Sequence, residues 1–404
     1  MFTLREYQQE AVNRLLWGVN LEGGDLCVLP TGAGKSLVIA ELATALNKPI
    51  LILQPSREIL EQNVEKIRAY VKDSDIGIYS ASVGRKYISK YTFATIQSIY
   101  KKPEEFAHFG YVIIDEAHLV NPKNLDGMFT SFLREIGNPK VAGLTATPYR
   151  MDVTYEPNGW GGFIAHTTTK LINRMKYRFW HRILFNINLA ELIQEGYLQP
   201  LRYFDKTVLE HEKIPTNITK SDFDLGAYSG LLQEKEGVVL EAIFFAQEMG
   251  KHVLVFCSSV EQAERLQKLV EGAKVVTAKT SKKERIEIIK DFREGRIQTV
   301  FNVGVLTTGF DFPELDCIVL LRPTQSIGLY YQMLGRGVRV APQKKGCAVI
   351  DITGTVRRLG RIETIKLVKQ EKWELISETG SWHNFPLYDF EITGKVKRFY
   401  FPKN

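Results

Sequence analysis

Lys35 and Ser36 follow two glycines, Gly32 and Gly34, in the stretch LCVLPTGAGKS at 26–36. That order of residue types suits a polyphosphate. Glycines let backbone N–H groups come close to phosphate oxygens. The helix start that follows adds unpaired donors and a partial positive charge. Thr31, Gly32, Ala33 and Gly34 would form the cradle, Lys35 would reach the β- and γ-phosphates, and the Ser36 hydroxyl would bind Mg²⁺. The strict G-x-x-x-x-G-K-[ST] pattern fails at its first glycine, where Leu29 stands. Two adjacent acids, Asp115 and Glu116, end the apolar run Tyr111-Val112-Ile113-Ile114 and lead to Ala117-His118. Asp115 would hold Mg²⁺, directly or through water, and Glu116 would orient and deprotonate an attacking water. Gln332, Arg336 and Arg339 form a Q-x-x-x-R-x-x-R array, with no acidic residue between Asp316 and Asp351. Paired guanidiniums in such surroundings suit a transferring phosphoryl group, the alternative being a solvated basic turn. Near the start, Arg5 and Gln8 offer a fork and an amide to an adenine edge, or are ordinary solvated positions.

Positioning these groups takes strands that end together. The run 26–29 reads as a buried strand and 35–46 as the helix after it, while apolar residues at helical spacing over 4–16 predict a helix before them. Further strands are expected at 49–53, 91–95, 111–114 and 141–147, and a helix at 58–71. Pro55, Ser56, Arg57 and Gln62 follow one strand end, and Thr95 and Gln97 another. Ligands of parallel α/β sheets bind at that edge, and short polar side chains there suit phosphate contacts. Thr145 and Thr147 tip a further strand. A second series has strands at 253–257, 274–277, 299–303 and 317–321, with helices at 260–270, 281–292 and 327–334. Strands alternating with helices throughout predict an α/β fold with two parallel sheets.

The chain has 404 residues, long enough for two to three domains. Apolar content of 44% and charged content of 25% are those of an ordinary globular protein, and the net charge of +7 points mildly to nucleic acid. Cys27, Cys257, Cys317 and Cys347 are scattered with no C-x-x-C pair, so zinc and disulfides are not expected. With no leader and no apolar run long enough to span a bilayer, the expected location is cytoplasmic, in a bacterial cell or a phage-infected host, with no membrane partner. Between Glu156 and Glu191 the only charged residues are Lys170, Arg174, Lys176, Arg178 and Arg182, interleaved with Tyr177, Phe179 and Trp180. Cations with aromatics suit phosphate neutralisation and base stacking, the alternative being an interdomain segment with core aromatics. The expected boundaries are 1–150 for a first lobe, 151–200 for a basic aromatic insertion or linker, 201–355 for a second lobe and 356–404 for a small aromatic β appendage.

Taken in order, these motifs resemble those of superfamily II helicases of the DEAH-box type, over roughly residues 2–355. REYQ, PTGAGKS, QPSREILEQ, ATIQS, DEAH, TAT, VFCSS, LTTGFDFPELD and QMLGRGVR stand in the family's sequence. The resemblance implies two RecA-like lobes that sandwich ATP, with ATP and Mg²⁺ as cofactors. It assigns Gly309 and Asp311 to the nucleotide and backbone, Ser258 and Thr307 to nucleic acid, Gln332 to the γ-phosphate, and Arg336 and Arg339 to arginine-finger roles. Pro55, Ser56, Arg57, Gln62, Thr95 and Gln97 fall near nucleic acid. LREYQ, LPTGAGKS and LIQEGYLQP further resemble a duplex-DNA group: the RadD type, the XPB type and phage UvsW-like helicases. The expected activity is an ATP-dependent DNA helicase or translocase that unwinds or remodels forked or branched DNA in replication, recombination or repair. Lys170, Arg174, Arg178, Phe179 and Trp180 are expected at the branch point, in a chain acting as a monomer. The alternatives are a restriction-type duplex translocase and an ATP-gated nucleic-acid-binding scaffold; RNA unwinding is disfavoured.

Overall fold

The computed structural model describes residues 2–121, 124, 126–157, 163–174, 179–210, 213–217, 222–306, 312–369, 371–377 and 390–391. It divides into two units, one of residues 1–150 and 170–187, the other of 151–169 and 188–404.

The first unit holds strands β1 (Gly24–Val28), β2 (Ile50–Gln54), β3 (Ile76–Ser80), β4 (Arg85–Tyr87), β5 (Tyr91–Thr95), β6 (Tyr111–Asp115) and β7 (Lys140–Thr145). Its helices are α1 (Glu6–Gly18), α2 (Lys35–Leu46), α3 (Arg57–Ile67), α4 (Ile96–Ile99) and α5 (Met128–Glu135). Strands β8 (Tyr149–Pro157) and β9 (Phe163–Leu171) follow, and β10 (Trp180–Asn186) returns to the first unit. The sheet order is β10-β1-β7-β6-β2-β5-β3-β4, parallel except for β4, which runs antiparallel along β3. β1, β2, β3, β5 and β6 are buried along their whole length. Near-continuous apolar strands of this kind belong to parallel sheets covered on both faces, which is why β1, β2, β5 and β6 were legible as runs, while β3 with its glycine was not.

β10 changes the reading of the basic segment. Its residues alternate between buried and accessible from Trp180 to Asn186, and it pairs in parallel with β1, Gly24 with Trp180 and Val28 with Asn186. Residues 170–187 are therefore part of the first unit, and 151–200 is not a separate insertion. The cause is partly electrostatic. Asp25, only 1% exposed, takes Lys140 Nζ at 2.6 Å and Arg182 Nε at 2.8 Å, and Lys140 also donates to the Leu21 and Gly23 carbonyls. A buried carboxylate needs such partners, so Arg182 is committed to the fold.

The second unit takes in most of β8 and β9, then α6 (Leu189–Gln194) and edge strand β11 (Leu201–Asp205), followed by α7 (Leu225–Gln233) and α8 (Glu236–Met249). β12 (Val253–Phe256), α9 (Val260–Leu269), β13 (Lys274–Val276), α10 (Lys282–Arg293), β14 (Thr299–Asn302), β15 (Cys317–Leu320), α11 (Ile327–Leu334), β16 (Cys347–Asp351) and α12 (Thr355–Leu359) follow. The six strands are all parallel, in the order β11-β16-β15-β12-β14-β13. Tyr228, Ile243, Val255, Phe301, Val319 and Ile350 join α7, α8 and the sheet in one core. Two tandem α/β lobes with parallel sheets are thus present, as expected. At the C-terminal end, β17 (Lys366–Lys369) and β18 (Trp373–Ile376) form an antiparallel pair, and β19 (Phe390–Glu391) adds to β9 beside β8. The other aromatics of 378–389 and 392–404 lie outside the described residues.

Candidate functional site

The glycine loop sits between β1 and α2. Gly32 (φ 86°) and Gly34 (φ 77°) both occupy the left-handed region that residues with a Cβ disfavour. At Gly34 a Cβ would also stand 2.4 Å from Gln8 Nε2. α1 holds the loop. Tyr7 Oη and Gln8 Nε2 each donate to the Ala33 carbonyl at 2.9 Å, and Gln8 Oε1 accepts the Arg5 N–H at 3.0 Å. Gln8 is buried, so its first task is anchoring the loop; its amide keeps capacity for one more donor and one more acceptor bond. Tyr7, inside REYQ but not among the residues expected to act there, shares that task. Thr31, Ala33 and Ser36 stand in the loop and first turn, and Lys35 Nζ lies at a long 3.4 Å from the Leu29 carbonyl.

The acid pair lies at the end of β6. Asp115 is 5% exposed; its carboxylate accepts from Asn63 Nδ2 at 3.0 Å and from the Glu116 N–H at 2.9 Å. Burial, then the neighbouring Glu116, pushes the Asp115 carboxyl up to about 6, while Lys35 and the two hydrogen bonds pull the other way. A buried acid short of compensating charge, within the field of Lys35, fits Mg²⁺, which takes few protein ligands and fills its shell with water and phosphate oxygens. Glu116 has φ 51°, a conformation uncommon outside glycine and typical of functional turns. His118 Nδ1 stands 3.4 Å from Glu116 Oε2, 2.9 Å from Thr145 Oγ1 and 3.3 Å from Thr147 Oγ1. Burial lowers its pKa, so the ring is neutral at pH 7. β7 lies between β1 and β6, and the Thr145 carbonyl accepts the Leu29 N–H at 3.0 Å. Hydrogen bonds therefore link Leu29, just before the glycine loop, through Thr145 to His118, whose ring lies 3.4 Å from Glu116 Oε2.

Along the same edge, Pro55 and Ser56 start α3, and the Ser56 hydroxyl caps it by accepting the Ile59 N–H at 3.4 Å. Arg57 binds Glu61 Oε1 at 2.8 Å and the Ser82 carbonyl at 2.9 Å, so part of its charge is already answered. Gln62 is partly exposed on α3. Thr95 is buried, bonded to the Ser80 and Ser98 hydroxyls, whereas Gln97 is exposed on α4. Asn63, missed from sequence, was findable as a polar residue on the apolar face of α3.

The basic segment divides. Lys170 and Arg174 are partly exposed, Phe179 is half-buried, and Arg178 lies outside the described residues. Trp180 is fully buried: a Cβ on Gly143 would stand 2.3 Å from its Cη2, and one on Gly24 3.0 Å from its Cε3. The expectation that Trp180 stacks on DNA is therefore wrong. The ring fills the space two glycines leave beside β1 and β7.

In the second unit, Gln332 lies on α11, with Arg336 (6% exposed) and Arg339 in the turn after it. Ser258 is buried, its N–H and hydroxyl both donating to Gln262 Oε1 at 2.9 Å, so it supports the start of α9 and its hydroxyl is spent inside the lobe. Thr307, Gly309 and Asp311 lie outside the described residues. All four cysteines are buried and free, and no helix among the described residues is long and apolar enough to cross a membrane.

Residues 1–150 match the family model described as "Type III restriction enzyme, res subunit", and residues 234–341 match "Helicase conserved C-terminal domain". The chain is 27% identical over 381 residues to a Saccharomyces cerevisiae protein named "Putative ATP-dependent helicase IRC3", covering 87% of this chain and 51% of that one. It is 27% identical over 370 residues to "DNA 3'-5' translocase XPB2" of Sulfurisphaera tokodaii, covering 83% and 78%. Among solved structures, the ATP-dependent Type ISP restriction-modification enzyme LlaBIII bound to DNA matches with a TM-score of 0.61 at 17% identity, over 87% of this chain and 27% of that one. The chain thus spans about half the length of the yeast relative and all but about a fifth of the archaeal one.

Proposed function

Since the two helicase-family segments, one in each unit, make this chain a superfamily II helicase, we propose that it is an ATP-hydrolysing motor that works on duplex DNA. The observation that carries the reading is the chain of contacts from Leu29 through Thr145 to His118, whose ring lies 3.4 Å from Glu116, so that the strand end before the phosphate-type loop and the acid pair share one set of neighbours. The backbone from Thr31 to Gly34 cradles the phosphates, and Lys35 exchanges its long contact to Leu29 for the β- and γ-phosphates. Ser36 and Asp115 hold Mg²⁺, which when bound neutralises phosphate charge. Asn63 keeps Asp115 in position. Glu116 takes the proton of the attacking water, its orientation set by His118. Gln332 contacts the γ-phosphate, and Arg336 and Arg339 stabilise charge on the transferring group. Arg5 and Gln8 read adenine while holding the loop, and Gly309 and Asp311 complete the nucleotide contacts.

DNA is the partner favoured by the archaeal relative, which is named a DNA translocase. Pro55, Ser56, Arg57, Gln62, Gln97 and Thr307 would lie along the strand, while the buried Thr95 and Ser258 support the elements that carry the contacts. The finer reading is forked or branched DNA, with Lys170, Arg174, Arg178 and Phe179 at the branch point; it rests on the sequence resemblance. The interior position of Trp180 supports a second reading, translocation along a duplex without a splitting ring from this segment. One comparison decides among these. ATP turnover and strand separation are measured on a fork, a Holliday junction, a plain duplex and an RNA duplex, with Glu116→Gln as control. DNA-stimulated turnover that Glu116→Gln abolishes while ATP binding persists is the expected outcome. Normal turnover in that variant sinks the assignment of the base, and stimulation by RNA alone sinks the DNA reading.

A further inference from the structure

The turn after α11 carries Arg336 and Arg339, and its backbone is held by residues outside the motif. The carbonyls of Gly337, Val338 and Arg339 are consecutive, and each accepts a bond from elsewhere in the second unit. Lys344 Nζ donates to Gly337 O and Arg339 O, both at 2.8 Å, and the Gln199 N–H donates to Val338 O at 2.7 Å. The third N–H of Lys344 goes to Pro313 O at 2.9 Å, in the second half of LTTGFDFPELD at 306–316, here called motif V. Gln199 Nε2 closes the clasp by donating to the Lys344 carbonyl at 2.6 Å. The turn has no slack on its other side: a Cβ on Gly337 would stand 2.6 Å from Cys347 Sγ and 3.1 Å from Leu201 Cδ2.

Carbonyls past a helix C-terminus lack intrahelical donors and carry partial negative charge, so a cation suits them. An ammonium has three donors and no acceptor, and here three backbone carbonyls from two separate loops use all three. We propose that Lys344, assisted by Gln199, is the positioning residue that fixes the arginine-bearing turn and ties it to the second half of motif V. The inference rests on the reading that Arg336 and Arg339 act on the transferring phosphoryl group.

Protonation is the readout that a merely structural lysine would not give. The groups around Lys344 are Cys347 on β16, Asp316 and Glu314 before β15, and Arg339 in the turn itself. Burial pushes the ammonium down to about 8, with Arg339 acting the same way, while Asp316 and Glu314 favour the charged form. Cys347 stays a thiol at these pH values, since burial pushes it up to about 12. Neutral Lys344 keeps two donors for three carbonyls, so one link of the clasp is lost as pH rises through about 8.

The test uses DNA-stimulated ATPase of the full chain. Lys344→Met should lower kcat on the order of 10²-fold, the cost of a small misplacement of catalytic groups, with KM for ATP nearly unchanged. Lys344→Arg, charged at all accessible pH, should restore much of that and should stay flat from about pH 7 to about pH 9. The wild-type kcat should fall over the same range. A folded Lys344→Met protein with unaltered kcat overturns the proposal. If that variant does not fold, the wild-type profile decides: a flat kcat overturns the proposal, and a fall at constant KM supports it. Arg336→Ala and Arg339→Ala separate the two layers. Unchanged turnover in both defeats the arginine reading itself; loss of about 10³-fold or more there with normal kcat in Lys344→Met defeats only the clasp.

Discussion

Replacing Trp180 by alanine separates a core role from a DNA-stacking role. The ring is fully buried beside Gly24 and Gly143, in a strand paired with β1. Truncating a buried tryptophan costs about 3–5 kcal/mol. In a unit the size of the first lobe, about 2–4 °C of melting temperature is lost per kcal/mol, so Trp180→Ala should lower the lobe's transition by about 6–20 °C. The reciprocal change is Gly143→Ala. Its Cβ would lie 2.3 Å from the Trp180 ring and 2.7 Å from Ala117 Cβ, an overpacking worth about 1–3 kcal/mol. Combining Gly143→Ala with Trp180→Ala relieves the clash with the ring, so the double variant should lose less than the sum of the singles. Ala117 keeps that relief incomplete. Circular dichroism melts of the four proteins, with fork binding followed by fluorescence anisotropy, measure both quantities. A stacking ring would leave the melt unchanged and weaken binding by about 1–3 kcal/mol. An unaltered transition in Trp180→Ala, with that loss of affinity, would refute the core assignment.

Two other expectations concern the active acid and the basic segment. Asn63→Ala removes a donor from Asp115 Oδ2, so the Mg²⁺ concentration for half-maximal ATPase should rise about 10–100-fold while ATP-independent DNA binding is unchanged; an unshifted Mg²⁺ titration would show that Asn63 does not hold the cation ligand. Arg174→Ala with Arg178→Ala should flatten the slope of log affinity against log salt by about 0.7–0.9 for each phosphate no longer neutralised, leaving basal ATPase intact, and an unchanged slope would remove the segment from the DNA path.

Much of this protein was legible before any coordinates. The parallel strands are buried on both faces, so they stand in the sequence as short apolar runs ending in chemistry: PTGAGKS after β1, DEAH from β6, the arginine array after α11. Local signals also gave two helix starts, at Ser259 and Ser281, which cap their helices, whereas Ser56, expected near nucleic acid, is a cap as well. Elements without such signals were missed. β3 and β4 are short and carry glycine or wholly exposed polar residues, and α8 is apolar nearly all round, so neither a period of two nor one of 3.6 stands out. Tertiary structure alone decided the partners. Trp180 and Arg182 sit beside solvent-suited cations in the sequence, yet Asp25, far away in the chain, needs Arg182, and two distant glycines make room for the ring. Gln8 suits adenine by its amide, but only the approach of α1 to the loop could show that the amide also holds Ala33. Asn63 and Lys344 carry no motif at all, and Gln199 stands in LIQEGYLQP with no role of its own. Their roles come from bonds across 52, 31 and 139 positions, between groups that only the folding of the sheets brings within reach.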